Sequence, residues 1–431
     1  MTEASMDKQI KALPPLVLPT ANFVNGRAFA GDLFQRKQHA ERLTGYLDRL
    51  REGAVLAIDA PWGEGKTWFG RNWAAYLQEA GHKVVFIDAF EQDYVEDPFL
   101  LIAAEIADGL DDSQGSVRGL REKAASVIKA ICAADDASTW IEKKLEDHAK
   151  EKASFQDFRN ELSAFAAIQP KSIVLFIDEL DRCQPTFALK LIERLKHFFD
   201  VPNLIVVLLI NRDQLHQAIR GMHGPDIDAA TYLGKFVSFF VALPKGTHDD
   251  FLGSNHVAEY VEHVFNRYDF DDSGGPAIFK AFFSWTAAWF NLSVRDIERA
   301  VALYAFAYPV DQHNHLLAYV ITLKIGKPDL FRRLQNGGDL NAHREALDNL
   351  KPIRTRTTVS QPHRYLALLM EWHEAHINGF PMNGDAFALL LREHNHRSGE
   401  PLAWRDLRHD ELWDAQRKLF QSLAERIDGT N

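Results

Sequence analysis

The chain has 431 residues, long enough for two or three domains, each with its own core. Apolar residues make up 46% and charged residues 25%, with 29 Phe and 9 Trp, which excludes disorder along the whole chain and describes an ordinary globular protein. A formal net charge of −11 argues against a general nucleic-acid coat and leaves room only for a local basic patch.

Residues 1–30 alternate Pro, polar and apolar residues without a helical period and predict an extended arm, with no apolar stretch of the signal-peptide kind. Phe34, Ala40, Leu43, Leu47 and Leu50 recur at helical spacing and predict an amphipathic helix over Asp32–Leu50. Val55–Asp59 reads as a strand, followed by a Gly-rich turn and a helix over about Thr67–Ala80 that Gly81 ends. Val84–Asp88 is a second strand, and Asp97-Pro98 opens a helix with Pro in its first turn. Residues 111–170 read as a helical insert: Asp111–Gly115 make a loop, and Phe155, Phe158, Leu162 and Phe165 repeat along a charged helix.

Ile173–Ile177 and Leu204–Ile210 are dense in Val and Ile, as strands buried on both faces are, with a helix over about Thr186–Phe199 between them. Lys235–Leu243 predicts a fifth strand that Pro244 closes. Past residue 250 the pattern is helical, over 255–335 and 362–427, divided by a loop-like basic stretch, Lys351–Arg364. The apolar runs are far shorter than the ~20 residues a membrane helix needs. Ala277–Asn291 is richer still, but Lys280 interrupts it, and it reads as a buried helix. With only two cysteines, Cys132 and Cys183, far apart and without metal-ligand spacing, the expected setting is a reducing, cytoplasmic one without a membrane.

The segment Asp59-Ala60-Pro61-Trp62-Gly63-Glu64-Gly65-Lys66-Thr67 follows a strand and opens a helix, which is the context of a phosphate-binding P-loop. Glycines let backbone N–H groups close around phosphate oxygens, and the helix N-terminus adds a positive dipole. Pro61, Trp62, Gly63, Glu64, Gly65, Lys66, Thr67 and Trp68 are therefore the expected nucleotide-binding residues, with Lys66 on the β- and γ-phosphates and Thr67 on Mg²⁺. The usual pattern has Gly where Ala60 stands, and Gly63 is the residue placed to supply the missing backbone freedom.

Asp178 and Glu179 end the strand that begins near Ser172, at the sheet edge where α/β proteins bind ligands. Asp178 is expected to hold Mg²⁺ through water, and Glu179 to orient and deprotonate the water attacking the γ-phosphate. Asn211 ends the next strand, placed to touch the γ-phosphate or that water, and equally a residue type common there as a turn former. Arg182, Arg194, Arg212 and Arg220 are candidate arginine fingers of which none stands out.

Together these segments resemble the KAP family of P-loop NTPases. The resemblance is carried by Pro61–Thr67, by Phe86-Ile87-Asp88-Ala89-Phe90, by Asp178-Glu179-Leu180-Asp181-Arg182-Cys183, by Tyr232–Phe236 running on to Pro244 as the strand closing the core, and by Ser293–Arg299 as a helical-lid segment. It covers roughly residues 30–305 and implies a Mg²⁺-dependent ATPase acting as a conformational switch or motor, with Arg295 as a lid-borne γ-phosphate sensor. Arg295 can instead pair with Asp296 or Glu298 on a solvated helix face. Many relatives carry membrane helices between the P-loop and the acidic motif, whereas residues 100–170 here hold only charged amphipathic helices. The expected fold is α/β: a P-loop NTPase parallel sheet of about five strands flanked by helices, with a helical insert and an all-α C-terminal region. Its expected parts are an arm (1–30), a core (31–250, insert about 100–170), a helical lid (251–335) and a C-terminal helical region (336–431).

The family resemblance also suggests anti-phage defence, with ATP rather than GTP as nucleotide and protein partners or further copies of the chain as recipients. The different class to weigh is an ATP-binding interaction scaffold with little turnover unless a partner activates it. A kinase is a third class, disfavoured because kinases of this fold usually lack the adjacent base. His373-Glu374-Ala375-His376, His313-Asn314-His315 and His394-Asn395-His396 lack the convergent ligand set that zinc needs. The aromatics between Phe279 and Phe290 fall mostly on helical faces and read as core or interface.

Overall fold

The computed structural model describes residues 26–50, 52–95, 97–110, 121–126, 141–196, 201–244, 256–268, 270, 274–308, 314–335, 339–354, 366, 369, 370, 372–374, 377, 421–425, 427 and 428. The chain divides into two compact units, one made of Ala21–Lys245 and the other of the chain from Gly246 onward.

The first unit is a five-stranded sheet of strands β1 (Ala54–Asp59), β2 (Lys83–Asp88), β3 (Ile173–Asp178), β4 (Leu204–Ile210) and β5 (Phe239–Ala242), ordered β2-β3-β4-β1-β5. Every pairing is parallel. The register puts Asp59 opposite Ile210 and Asp88 opposite Asp178, so three strands deliver a carboxylate to one edge.

Helices cover both faces, as uniformly apolar parallel strands require. On one face α1 (Arg36–Leu47) and α2 (Lys66–Glu79) bring Leu43, Leu47, Phe69, Trp73 and Leu77 against Leu56, Ile58, Val174, Phe176 and Leu209. Trp73 is fully buried, meets Phe176 edge-on at 5.4 Å between ring centres, and donates its indole N–H to Thr44 Oγ1 at 3.0 Å. At Gly70 helix and sheet come so close that a Cβ would stand 2.2 Å from Leu209 Cδ1. On the opposite face α3 (Pro98–Gly109), α4 (Ile141–Ala167) and α5 (Pro185–Leu195) pack Phe99, Ile106, Phe158, Leu162 and Leu191 on the alternate residues Ile173, Leu175 and Ile177. Asp97 caps α3 by accepting the Phe99 N–H at 2.9 Å.

Among the described residues the expected helices and strands are present, with three boundary corrections; most of the expected helical stretch 362–427 lies outside the described residues. Helix α1 starts at Arg36 rather than Asp32, because the Asp32 carboxylate takes the N–H groups of Phe34 (3.2 Å) and Lys37 (2.7 Å) and holds residues 32–35 outside the helix. The expected strand Lys235–Leu243 shrinks to Phe239–Ala242. Asp228 instead caps a short helix, α7 (Ala229–Leu233), and the Lys235 and Phe236 N–H groups turn back onto Tyr232 and Leu233. The expected basic loop begins later than Lys351, since a helix runs from Leu340 to Arg354; 355–365 lie outside the described residues. Residues 26–30, the described part of the expected extended arm, form bends and turns. The loop Asp111–Gly115 is outside the described residues. Helix α6 (Arg212–His223) follows β4.

Among the described residues of the second unit the elements are helices: α8 (His256–Phe265), α9 (Gly275–Trp289), α10 (Val294–Ala307), α11 (Asn314–Gly326), α12 (Pro328–Gln335) and α13 (Leu340–Arg354). Helix α11 is buried from Asn314 through Leu323, which makes it the core helix of this unit. Phe279 of α9 stacks on Tyr304 of α10 at 3.8 Å, and Phe279, Phe282 and Phe283 are core, while Trp285, Trp289 and Phe290 are half-buried.

Candidate functional site

The chain leaves β1 at Asp59 and stays in the ladder for one more residue, the Ala60 N–H donating to Ile210 O at 3.1 Å. Ala60 is buried and is not among the residues with positive φ, so the position that usually holds Gly needs none here. The turn is made instead by Gly63 (φ 84°) and Gly65 (φ 77°), and α2 begins at Lys66. The expectation that Gly63 supplies the loop's freedom matches this geometry.

Lys66 is buried, and its ammonium donates to the carbonyls of Ala60 (2.8 Å) and Pro61 (3.2 Å). Burial holds the ammonium below its ordinary value against the pull of Asp181, Asp178, Glu179 and Asp59. The loop and the acidic strand end therefore face each other. Asp178 is 2% exposed; its Oδ1 accepts the Glu179 N–H at 2.8 Å, and the carboxylate also takes a hydrogen bond from the Thr67 hydroxyl. Its Oδ2 has no hydrogen-bond partner. Burial pushes the Asp178 carboxyl up, with the Thr67 and Glu179 hydrogen bonds opposing.

Glu179 sits at φ 59°, a left-handed conformation that costs a bulky residue on the order of 1–3 kcal/mol and persists where surroundings enforce it. Burial and the neighbouring Asp178 push its carboxyl up to about 7, and Arg182 opposes them through an ion pair with that carboxylate. Trp62, exposed at the tip of the loop, donates its indole N–H to Asp181, so a second contact joins the loop to the acidic segment.

A model of the KAP family P-loop domain matches residues 36–270. The chain belongs to the KAP family. No curated protein matches it. Among solved structures this KAP chain is similar to the Aeropyrum pernix ORC2 protein in its ADPNP–ADP complexes, with TM-score 0.39 and 13% identity over 94% of this chain and 97% of that one. It is also similar to CDC6P from Pyrobaculum aerophilum, with TM-score 0.39 and 12% identity over 95% of this chain and 99% of that one. Drosophila ORC bound to DNA matches with TM-score 0.36 and 14% identity over 95% of this chain and 89% of that one.

The residues fit a magnesium ion. An orphaned, buried carboxylate oxygen beside a threonine hydroxyl is a hard-oxygen donor set of the kind magnesium takes. The Trp68 ring packs on Phe29 at 5.8 Å, leaving its main chain for the loop. Asn211 is buried at the start of α6, where its Oδ1 accepts from Gln214 N at 3.5 Å, the geometry of a helix cap. Arg194 pairs with Asp97 at 2.9 Å, and Arg212 lies over the Phe240 ring at 4.5 Å. Arg295 is exposed in the first turn of α10. The acids beside it are engaged elsewhere, Asp296 in the capping box with Ser293 and Glu298 with Arg267 and Tyr260.

Sequence reasoning missed Arg36. It is 3% exposed, and its Nη2 donates to Glu64 O at 2.7 Å with Nη1 3.5 Å from Gly65 O. It also missed the pairing of Asp181 with Trp62. Among the described residues no group of three or more metal-binding side chains occurs, and no helix is long and apolar enough to cross a membrane.

Proposed function

We propose that this KAP-family chain binds ATP with magnesium in the loop Pro61–Thr67 and hydrolyses it, turnover driving or timing a conformational change. The observation that carries the reading is Asp178: buried, sharing the Thr67 hydroxyl, attracted to Lys66, and left with one oxygen unpartnered. The N–H groups of the loop and of the first turn of α2 cradle phosphate oxygens. Lys66 exchanges the Ala60 and Pro61 carbonyls for the β- and γ-phosphates. Glu179, pushed up to about 7, accepts a proton from the attacking water near neutral pH. Asn211, at the end of β4, is the proposed contact to the γ-phosphate. Magnesium, when bound at Thr67 and Asp178, neutralises charge on the triphosphate.

The proposed setting is the cytoplasm, with protein partners or further copies of the chain receiving the motion. A nucleic acid is the less natural recipient at a net charge of −11. Defence against phage is the biological role that the family resemblance suggests. The test is a phosphate-release assay: hydrolysis requires Mg²⁺, Lys66→Ala abolishes it, and Glu179→Gln still binds ATP but turns over about 10²-fold or more slower. Wild-type turnover in Glu179→Gln overturns the assignment of the base.

One feature favours the second reading, an ATP-binding scaffold with little turnover unless a partner activates it. The Glu179 carboxylate is held in the ion pair with Arg182. Tight ATP binding without turnover, relieved by a partner, selects that reading.

A further inference from the structure

We propose that Arg36 is a positioning residue for phosphate binding: from behind the P-loop, it sets the direction in which the Gly65 N–H points. The inference rests on the nucleotide reading above and extends it to a residue outside the loop. In a planar trans peptide the C=O and the N–H point to opposite sides. The Glu64 carbonyl is held at 2.7 Å by the Arg36 guanidinium, so the N–H of the same peptide, that of Gly65, points away from Arg36.

Something has to choose that orientation. The peptide joins Glu64 to a glycine at φ 77°, and glycine accepts a flipped peptide at little steric cost. Flipping would exchange a donor for a carbonyl oxygen on the side where the phosphates go. The Arg36 side chain is buried, and its Nη1 stands 2.8 Å from where a Gly65 Cβ would be, so guanidinium and loop are fitted to each other. The Asp32 cap, which delays the start of α1, places Arg36 at its first position.

The experiment measures affinities of full-length protein for Mg·ADP, Mg·ATP and magnesium tripolyphosphate by calorimetry, with a thermal melt to confirm folding. Arg36→Met keeps the length and loses the donor; its affinity for all three should fall about tenfold or more, the loss expected for a charged hydrogen bond. Arg36→Lys, which reaches one carbonyl, should fall by less, and it decides the matter if Arg36→Met does not fold. A role confined to stability would lower the fraction of binding-competent protein without changing these dissociation constants. Affinities in the folded variants within twofold of wild type overturn the inference, as does a loss for the nucleotides that spares tripolyphosphate, which would place Arg36 at the base. If wild type binds none of the three, the nucleotide reading itself fails and takes this inference with it.

Discussion

Replacing Asp178 by Asn should make the ligand-free protein more stable while removing its response to magnesium. Asp178 is 2% exposed, and its Oδ2 has no hydrogen-bond partner. A buried unpaired polar atom costs about 1–3 kcal/mol, more when it carries charge. Asn keeps an Oδ1 that can accept from the Glu179 N–H and Thr67, and it leaves a neutral NH₂ where the charged oxygen stood, so relief on the order of 1 kcal/mol is expected. For a unit of this size that raises the melting temperature by roughly 2–4 °C.

The pH dependence fixes the sign. The folded pKa lies above the ordinary 3.8, so between those two values the folded protein holds a proton that the unfolded chain has lost, and stability falls as pH rises through that window. Above the window the penalty is complete and the Asn variant is favoured; below 3.8 both proteins hold a neutral side chain and the difference vanishes. The assay is differential scanning fluorimetry with and without Mg·ATP at acid and neutral pH. Wild type should gain about 2.7 kcal/mol at a hundredfold excess over Kd, and the variant should lose the magnesium-dependent part of that gain. A variant that melts below wild type at neutral pH without ligand, or that keeps the full magnesium effect, refutes the reasoning.

Three further outcomes follow from the same geometry. Trp62 donates to Asp181 across the mouth of the loop, so Mg·ATP should change tryptophan emission and Trp62→Phe should remove most of that change; a signal untouched by Trp62→Phe means this contact does not report on the site. The Cys183 thiol is pushed up to about 12, by burial first and then by Asp93 and Asp88. In a Cys132→Ser background its alkylation at pH 8 should run about 10³-fold slower folded than unfolded, and comparable rates would contradict its burial. Gly70→Val should destabilise by about 1–3 kcal/mol in urea unfolding because its Cβ meets Leu209 Cδ1 at 2.2 Å; an unchanged midpoint would mean α2 sits less tightly on the sheet.

The sheet was legible because its inner strands are buried on both faces: Leu204–Ile210 is apolar at every position and buried at every position. The fifth strand was drawn too long because its apolar residues follow closely on a short helix, and only the turn of the Lys235 and Phe236 N–H groups back onto Tyr232 and Leu233 separates the two. Ala60 looked like a defect in a motif defined by glycine, yet its N–H continues the β1–β4 ladder and its conformation is open to any residue. Lys66, Thr67, Asp178 and Glu179 could be read because strand ends and helix starts place them. Arg36 could not, since its contact with Glu64 spans 28 positions and depends on where α1 begins. Asn211 was legible in both its readings, since a polar residue at a strand end can face a ligand and here also caps α6.

The most direct measurement is an experimental structure of the wild-type chain with Mg²⁺ and a non-hydrolysable ATP analogue. The account predicts phosphates inside the turn from Gly63 to Thr67, the Lys66 ammonium moved from the Ala60 and Pro61 carbonyls onto them, and the metal on the side of Thr67 and Asp178 Oδ2. Phosphates bound elsewhere, or a filled turn with Lys66 still tied to those carbonyls, would contradict it.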